Sequence, residues 1–188
     1  MKVTKKWLKE KRACCSENDM DRAEKELRGD LKLIAKALLK ENRFDDANWL
    51  LTKLMNKNQC IKYAIFAAKQ VLSVFEEKYS EDNGPRKAIE AAEKYLKDPS
   101  ENNRKAAADA ANDAAAAAYD AAAAYDAYDA YDAYDAANAA AYAASAASAA
   151  YAANAANAAY ATAHAAANAN CGIKTKIIEY GIKILKRS

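Results

Sequence analysis

Residues 121–160 read AAAAYDAYDAYDAYDAANAAAYAASAASAAYAANAANAAY, and this stretch decides the fold class. It belongs to a longer segment, residues 106–170, in which 40 of the 65 residues are alanine. Glycine, proline, lysine, arginine and glutamate do not occur there. Alanine has the highest helix propensity, whereas glycine and proline are the residues that break helices. The composition therefore predicts α-helix throughout this alanine segment.

The polar residues of the alanine segment recur in a short tandem repeat. The triplet Tyr-Asp-Ala begins at residues 125, 128, 131 and 134, and from Tyr142 to Tyr160 every third residue is Tyr, Ser or Asn. Three residues advance about 300° around an α-helix, so successive tyrosines wind around it and form no single stripe. A period of three suits a 3₁₀-helix, but such helices rarely exceed a few residues. We expect α-helices with the tyrosines packed between them.

The length of the alanine segment indicates that it folds back on itself. One unbroken helix of this length would extend about 98 Å, at about 1.5 Å per residue. Asparagine and serine side chains compete for backbone hydrogen bonds and so favour bends. The expected bends are at Asn138, Ser145–Ser148 and Asn154–Asn157.

Amphipathic helices are expected on both sides of the alanine segment, because apolar residues recur there at three- and four-residue steps. Three of them are expected at Asp21–Glu41, Pro85–Lys97 and Ile173–Lys186. Two more lie between the first and second of these: one begins after a cap at Asp45 or Asp46, and the other begins after a cap at Asn58 and runs through Tyr79. The prediction is an all-α helical bundle with long alanine-rich helices folded back on one another. We expect one domain, residues 1–188, with amphipathic helices at 1–98, repeat helices at 100–170 and a closing helix at 173–187.

Charge is distributed unevenly along the chain. The formal net charge is +3, but the alanine segment carries seven aspartates and no base, so the remainder carries +10. Such asymmetry predicts either that the two parts face each other or that a basic surface meets an acidic partner. Nucleic acid is an alternative partner, because basic residues cluster at 2–12 and 183–187.

Cysteine usage and hydropathy bear on the compartment. The four cysteines lack C-x-x-C spacing and are expected to be reduced and mostly buried. The first residues lack the apolar run of a signal peptide, and no segment is apolar enough over a membrane-spanning length. We expect a cytoplasmic protein that does not contact a membrane.

The sequence contains no recognisable motif of catalytic or metal-binding residues. The single histidine, His164, has no acidic residue within four positions. Asp109 and Asp113 stand at i, i+4 spacing, but no histidine or glutamate lies beside them, and we expect them to face solvent. No nucleophile stands in a motif with a base. The prediction is that the protein is not an enzyme and uses no cofactor and no metal.

Five short stretches stand in order ahead of the Ala/Tyr-rich tail. They are WLLTKL at 49–54, KYA at 62–64, VL at 71–72, FEEKY at 75–79 and PRKAIEAA at 85–92. In this order they resemble a family of helical immunity proteins of bacterial polymorphic toxin systems, which also occurs in phage genomes. The resemblance covers residues 44–188. It implies a protein that binds and neutralises a toxin or a host defence protein without performing chemistry.

The candidate partner-binding residues are Arg86, Lys87, Glu90, Tyr63 and Trp49. Arg86 and Lys87 follow a glycine-proline pair at an expected helix start, where exposed amides and an arginine side chain favour an anion. Glu90, one turn later, would instead neutralise Arg86 in a surface salt bridge. For Tyr63 and Trp49 the alternative is packing in the core.

Two other functions stay open. A helical bundle could sequester a nucleotide signal between basic side chains and tyrosine rings, which stack on bases. Alternatively, exposed tyrosine and alanine could make the chain a structural, self-associating protein, for example a homo-oligomer.

Overall fold

The chain is built from α-helices in the computed structural model. The structure describes residues 2–123, 128–149 and 151–186. It describes all the side chains of these residues except those of 128–130, 152 and 153. The described part contains no strand. The helices are α1 Lys5–Glu10, α2 Glu17–Asp21, α3 Leu31–Lys40, α4 Phe44–Leu54, α5 Lys57–Lys69, α6 Leu72–Glu76, α7 Gly84–Lys97, α8 Glu101–Ala123, α9 Tyr128–Ser148, α10 Ala152–Ala169 and α11 Lys174–Leu185. A π-helical turn at Arg22–Glu26 and a 3₁₀ turn at Cys171–Ile173 complete them. No described helix has both the length and the apolar character needed to cross a membrane.

The alanine-rich helices α8, α9 and α10 form the centre of the fold. α8 and α9 are antiparallel, because Arg104 at the start of α8 donates from Nη1 to the Ser148 carbonyl at the end of α9, over 3.3 Å. α9 also packs against α10, α5, α6 and α7, so other helices surround most of it. The predicted all-α bundle with folded-back alanine helices is confirmed.

Alanine side chains make most of the contacts between α9 and its neighbouring helices. The side chains on its enclosed faces are fully buried or nearly so, namely Ala133, Ala136, Ala137, Ala139, Ala140, Ala141, Ala143, Ala144, Ala146 and Ala147. Its polar and aromatic residues face solvent along one stripe that includes Tyr131, Asn138 and Tyr142. This differs from the winding arrangement that a strict triplet predicts. The reason is the four-residue step from Asn138 to Tyr142, which interrupts the triplets and brings Tyr142 back to the face of Tyr131 and Asn138.

The prediction that the tyrosines pack between the helices is wrong for four of those whose side chains the structure describes, whereas Tyr134 is partly buried against the main core. Tyr119, Tyr131, Tyr142 and Tyr151 are between 40% and 73% exposed. Small alanine side chains let the helix axes approach closely, which leaves no room for rings at the contacts. The first Tyr-Asp-Ala copy, residues 125–127, lies outside the described residues.

Two of the three predicted bends are wrong. Asn138 lies inside α9, and Asn154–Asn157 lie inside α10. The third prediction is confirmed, because α9 ends at Ser148. There the Ser148 hydroxyl donates to the Ser145 carbonyl over 3.1 Å, and such bonds compete with the helical ladder. Asparagines at exposed positions bond to water and need not interrupt a helix.

The single helix predicted at Asp21–Glu41 is also wrong, because the chain breaks before α3. Arg28 and Gly29 have left-handed backbone conformations, with φ of 56° and 64°. A Cβ on Gly29 would lie 2.6 Å from the Val3 carbonyl oxygen, so this close approach requires glycine. Asp30 then caps α3 by accepting from the Leu33 amide over 2.9 Å.

The predicted caps of α4 and α5 are wrong by two or three residues. Asp45 and Asp46 lie in the first turn of α4, not at its cap. Asn56, not Asn58, caps α5 in a reciprocal pair of hydrogen bonds with Gln59. α5 ends at Lys69, so the helix expected through Tyr79 is divided into α5 and α6. The predicted helices that became α7 and α11 are confirmed.

Close contact between α11 and the α4–α5 pair depends on Gly181. A Cβ at this position would lie 2.7 Å from Leu51 Cδ1 and 2.9 Å from Tyr63 Cε2, and both side chains are fully buried. We expect Gly181→Ala to lower the free energy of unfolding by up to about 2 kcal/mol, because overpacking costs about 1–3 kcal/mol and helix propensity returns about 1 kcal/mol. Urea denaturation measures this change in the free energy of unfolding. Lys176→Ala, on an exposed face of α11, is the control; a stabilised Gly181→Ala protein would contradict the close packing.

Candidate functional site

The predicted binding residues at the start of α7 are present on the surface, but Arg86 already has a partner. Its Nε and Nη2 atoms donate to the two carboxylate oxygens of Glu76 over 2.7 and 2.6 Å. The expectation that Glu90 would neutralise Arg86 is therefore corrected, because α6 supplies the carboxylate. This bidentate contact, more than any other cause, raises the pKa of Arg86. Lys87 and Glu90 are exposed.

The two predicted aromatic residues lie elsewhere. Tyr63 is fully buried, and its hydroxyl donates to Asn48 Oδ1 over 3.1 Å, so it contributes to the core and offers no surface to a partner. Burial raises its pKa. Trp49 is half-buried and meets the edge of Trp7 with ring centroids 6.4 Å apart. No contact or cavity among the described residues joins Trp49 to Arg86.

A groove of about 890 Å³ lies between α5, α7 and α11. Its floor is apolar and is formed by Ile65, Phe66, Leu96, Tyr180 and Ile184. The rings of Phe66 and Tyr180 stack almost in parallel, with centroids 3.9 Å apart and an interplanar angle of 7°. An accessible apolar floor of this kind is a common feature of binding sites.

Lysines form the rim of this groove, which we call the lysine groove. They are Lys62, Lys69, Lys97 and Lys183, and Glu93 is the single carboxylate among the lining residues. Lys69 Nζ pairs with Glu93 Oε1 at 2.6 Å. The other three lysines form no ion pair within residues 2–123, 128–149 and 151–186. The groove thus has a formal charge of +3.

Positive charge continues from the lysine groove onto α3. Lys32, Lys36, Lys186 and Glu179 line a shallow depression of about 400 Å³, which shares Lys183 with the groove. Lys62 and Lys69 are seven residues apart, two helical turns, so they lie on one face of α5. The basic surface therefore spans several helices.

The aspartates of the alanine segment whose side chains the structure describes do not neutralise this surface. Asp109, Asp113 and Asp120 are exposed on α8, as expected for the first two, and Asp132 and Asp135 lie on α9. None of the five forms an ion pair within the described ranges. Partial burial raises the pKa of Asp135. Of the two explanations for the charge asymmetry, this arrangement favours a basic surface that is open to a partner.

His164 has an acidic neighbour that its sequence position does not reveal. Its Nδ1 atom lies 2.8 Å from Oδ1 of Asp45, which α4 brings to the surface of α10. The ring of Tyr160 lies parallel to the imidazole, with centroids 6.2 Å apart. No serine, threonine or cysteine side chain of the described chain hydrogen-bonds to this imidazole. The contact is an exposed histidine–aspartate pair.

The cysteines are less buried than predicted. Only Cys60 is buried, and burial raises its pKa to about 11. Cys14 and Cys171 are exposed, and Cys15 is half-buried. Among the described residues, no group of three or more His, Cys, Asp or Glu side chains is arranged to hold a metal ion.

All the residues that line the lysine groove lie within a range that matches a known protein family. A family model matches residues 34–185, a range that contains α4 to α11 entirely. No curated protein and no solved structure matches the chain significantly. Because the matched residues make up more than half of its 188 residues, the chain belongs to the family of unknown function DUF6931.

Proposed function

We propose that this chain is a non-enzymatic immunity or counter-defence protein that binds and neutralises a toxin or a host defence protein through the lysine groove. The observation that carries this proposal is the combination of an apolar floor with a lysine rim. The matching partner surface is an amphipathic acidic segment, whose apolar side would lie on Phe66 and Tyr180. The choice of partner class rests on the resemblance of the sequence to immunity proteins.

The two parts of the groove would contribute differently to binding. The apolar floor supplies burial of hydrophobic area, which is the main source of affinity. The lysines attract an acidic partner at long range and disfavour basic ones, which increases the association rate and the specificity. This division suits a protein that must find its target quickly and hold it in a stoichiometric complex.

Two of the predicted partner residues fit next to this groove. Glu90 and Glu93 are three residues apart, and Lys97 follows four residues later, so all three lie on one face of α7. Arg86 lies on the same face one turn earlier, and Lys87 is exposed beside it. We propose that the partner extends from the groove along this face. The four free thiols suit a reducing compartment, and we place the binding in the cytoplasm.

The test is co-expression with each protein encoded by the genes that flank the gene of this chain, after each has been expressed alone to find whether it is toxic. The wild-type chain is expected to restore growth and to co-purify with the toxin in a fixed ratio. The double variant Lys62→Glu/Lys183→Glu reverses two charges on the rim and is expected to weaken the complex about 100-fold, or about 2.8 kcal/mol. Isothermal titration calorimetry measures the affinity, and a growth assay measures the neutralisation.

The matched control is Lys40→Glu/Lys78→Glu, which makes the same change in net charge at exposed positions outside the groove. It is expected to bind the toxin with nearly wild-type affinity. Absence of a complex with the wild-type chain would refute the immunity function. Equal weakening by both double variants would refute the lysine groove as its site.

A second candidate function is the capture of a nucleotide signal in the same groove. It is favoured by the aromatic pair Phe66 and Tyr180 next to several lysines, because rings stack on bases and lysines bind phosphate. A panel of cyclic and linear nucleotides should then raise the melting temperature of the wild-type chain but not that of Lys62→Glu/Lys183→Glu. An unchanged melting temperature across the panel would exclude it.

A further inference from the structure

A second cavity, separate from the lysine groove, lies where the N-terminal helices meet α3, α4 and α10. Its volume is about 270 Å³. Its inner wall is apolar, and four of its side chains, Val3, Leu8, Ile34 and Leu50, are 6% exposed or less. The half-buried Trp49 also lines it. These residues belong to a small hydrophobic cluster that is distinct from the main core.

The size of this N-terminal cavity limits what it can hold. Its volume equals that of roughly nine water molecules in the liquid, at about 30 Å³ each. A single aromatic ring with a short side chain fits this space. An apolar wall of this kind gains little from water and favours an apolar ligand.

The mouth of the N-terminal cavity is polar and has more negative than positive groups. Asp19, Asp45 and Asp46 line it together with the single guanidinium of Arg43. Arg43 Nη1 lies 2.9 Å from Asp19, and Arg43 Nε lies 2.6 Å from Asp46. Arg43 holds the pKa of Asp19 below its usual value. In the described part of the chain Asp45 forms no ion pair with a lysine or an arginine, and its Oδ1 atom lies 2.8 Å from Nδ1 of His164, which is charged only when protonated.

Two weakly acidic groups at the mouth, Cys15 and Tyr160, have raised pKa values, to which burial contributes most and the carboxylates contribute less. The pKa of the Cys15 thiol is raised, first by burial and then by Asp19, with Arg43 acting in the opposite direction. The pKa of the Tyr160 phenol is raised, first by burial and then by Asp45 and Asp46. The neighbouring carboxylates therefore disfavour a further negative charge at both groups, while burial disfavours charge of either sign there.

We propose that the N-terminal cavity binds a small amphiphilic cation, an aromatic or short aliphatic primary amine. The apolar part would lie among Val3, Ile34, Leu50 and Trp49. The ammonium group would lie at the mouth beside Asp45 and Asp46, where it donates hydrogen bonds to carboxylate oxygens. Trp49 adds an aromatic ring with which a cation interacts favourably.

Intrinsic fluorescence tests this proposal, because the chain has two tryptophans, Trp7 and Trp49, in contact beside the cavity. Phenethylamine, 2-phenylethanol and 3-phenylpropanoate share a ring and differ in charge. At neutral pH and low ionic strength, phenethylamine is expected to change the emission saturably. The neutral alcohol should bind about fivefold more weakly and the carboxylate at least about tenfold more weakly. Equal affinities for the three, or no saturable change with phenethylamine, would overturn the proposal.

Two variants locate the binding in the cavity. Asp45→Asn is expected to weaken phenethylamine binding about fivefold and to leave 2-phenylethanol binding unchanged. Asp109→Asn, at an exposed position on α8, is the matched control and should bind both probes as the wild-type chain does. Ala13→Phe, in the loop that lines the cavity, should remove binding of both probes. Unchanged selectivity in a folded Asp45→Asn protein would place the amine elsewhere and refute the site.

Discussion

Replacing Ala140 with leucine is expected to lower the free energy of unfolding by at least about 3 kcal/mol, the upper part of the usual range for an overpacked core. Ala140 is 0% exposed in the middle of α9, and its neighbours Ala137, Ala143 and Ala144 are also at 0%. Leucine adds a branched group of three carbon atoms where helices already touch on most sides. Because the neighbouring alanine side chains have no rotamer into which they can move, the facing helices would have to move apart. Urea denaturation followed by circular dichroism measures the change.

The matched control for this substitution is Ala106→Leu on the exposed face of α8. It makes the same chemical change in a helix of the same composition, and its effect is expected to stay within about 0.5 kcal/mol. If the two leucine variants unfolded at the same urea concentration, α9 could not be enclosed as described. The comparison separates overpacking from the small difference in helix propensity between alanine and leucine.

Replacing Asn48 with alanine is expected to cost about 2–4 kcal/mol, since it removes two hydrogen bonds between helices and leaves the buried Tyr63 hydroxyl without its acceptor. Asn48 is 0% exposed on α4. Its Nδ2 atom donates to the Tyr160 carbonyl over 3.0 Å, and its Oδ1 atom accepts from the Tyr63 hydroxyl over 3.1 Å. The side chain therefore connects α4 to α10 and α5. Thermal unfolding followed by calorimetry measures the loss.

A double-mutant cycle distinguishes this hydrogen bond from simple loss of volume. Tyr63→Phe removes the donor, and we expect its effect and that of Asn48→Ala to be less than additive by about 1 kcal/mol. Strict additivity would mean that the Asn48–Tyr63 contact does not contribute to stability. Asn154→Ala, at an exposed position of α10, is the matched asparagine control and should be nearly neutral.

The helical class and several boundaries could be read from the sequence because they depend on local chemistry. The alanine segment, Pro85 at the start of α7 and the isoleucine pattern of α11 each indicate helix without knowledge of the rest of the chain. The break before α3 was missed because a long apolar pattern concealed the left-handed pair Arg28 and Gly29. Asp30 was the available signal, as a residue that favours helix caps.

The position of the tyrosines could not be predicted from the repeat. Whether a ring on α9 is buried depends on which helices surround α9, and this is a property of the whole bundle. Alanine at the contacts leaves the rings on the outside, and Tyr131 and Tyr142 are exposed as a result. Self-association through these rings stays a prediction.

Only part of the candidate site could be predicted. Arg86 lies at the start of α7 as the sequence predicts, but its partner within the chain is Glu76 of a neighbouring helix and not the predicted Glu90, and its binding of a partner stays a prediction. The lysine groove combines residues of α5, α7 and α11, which only the folded chain brings together. The excess of positive charge outside the alanine segment was the available sign of a basic surface, but it does not show where on the fold that surface lies. The contact between Asp45 and His164 joins residues that are 119 positions apart.

The alanine core also has a consequence for the axial alignment of the helices. An alanine face looks nearly the same after each turn, so sliding α9 along α8 by one turn would bury almost the same area. Alanine contacts therefore do not determine the register, and unique polar contacts must do so. Arg104, Tyr79 and Asn48 each hydrogen-bond to a single carbonyl, on α9, α8 and α10 respectively. A few side chains outside the repeat thus determine the register of the helices, which the alanine contacts alone would leave free to shift by whole turns.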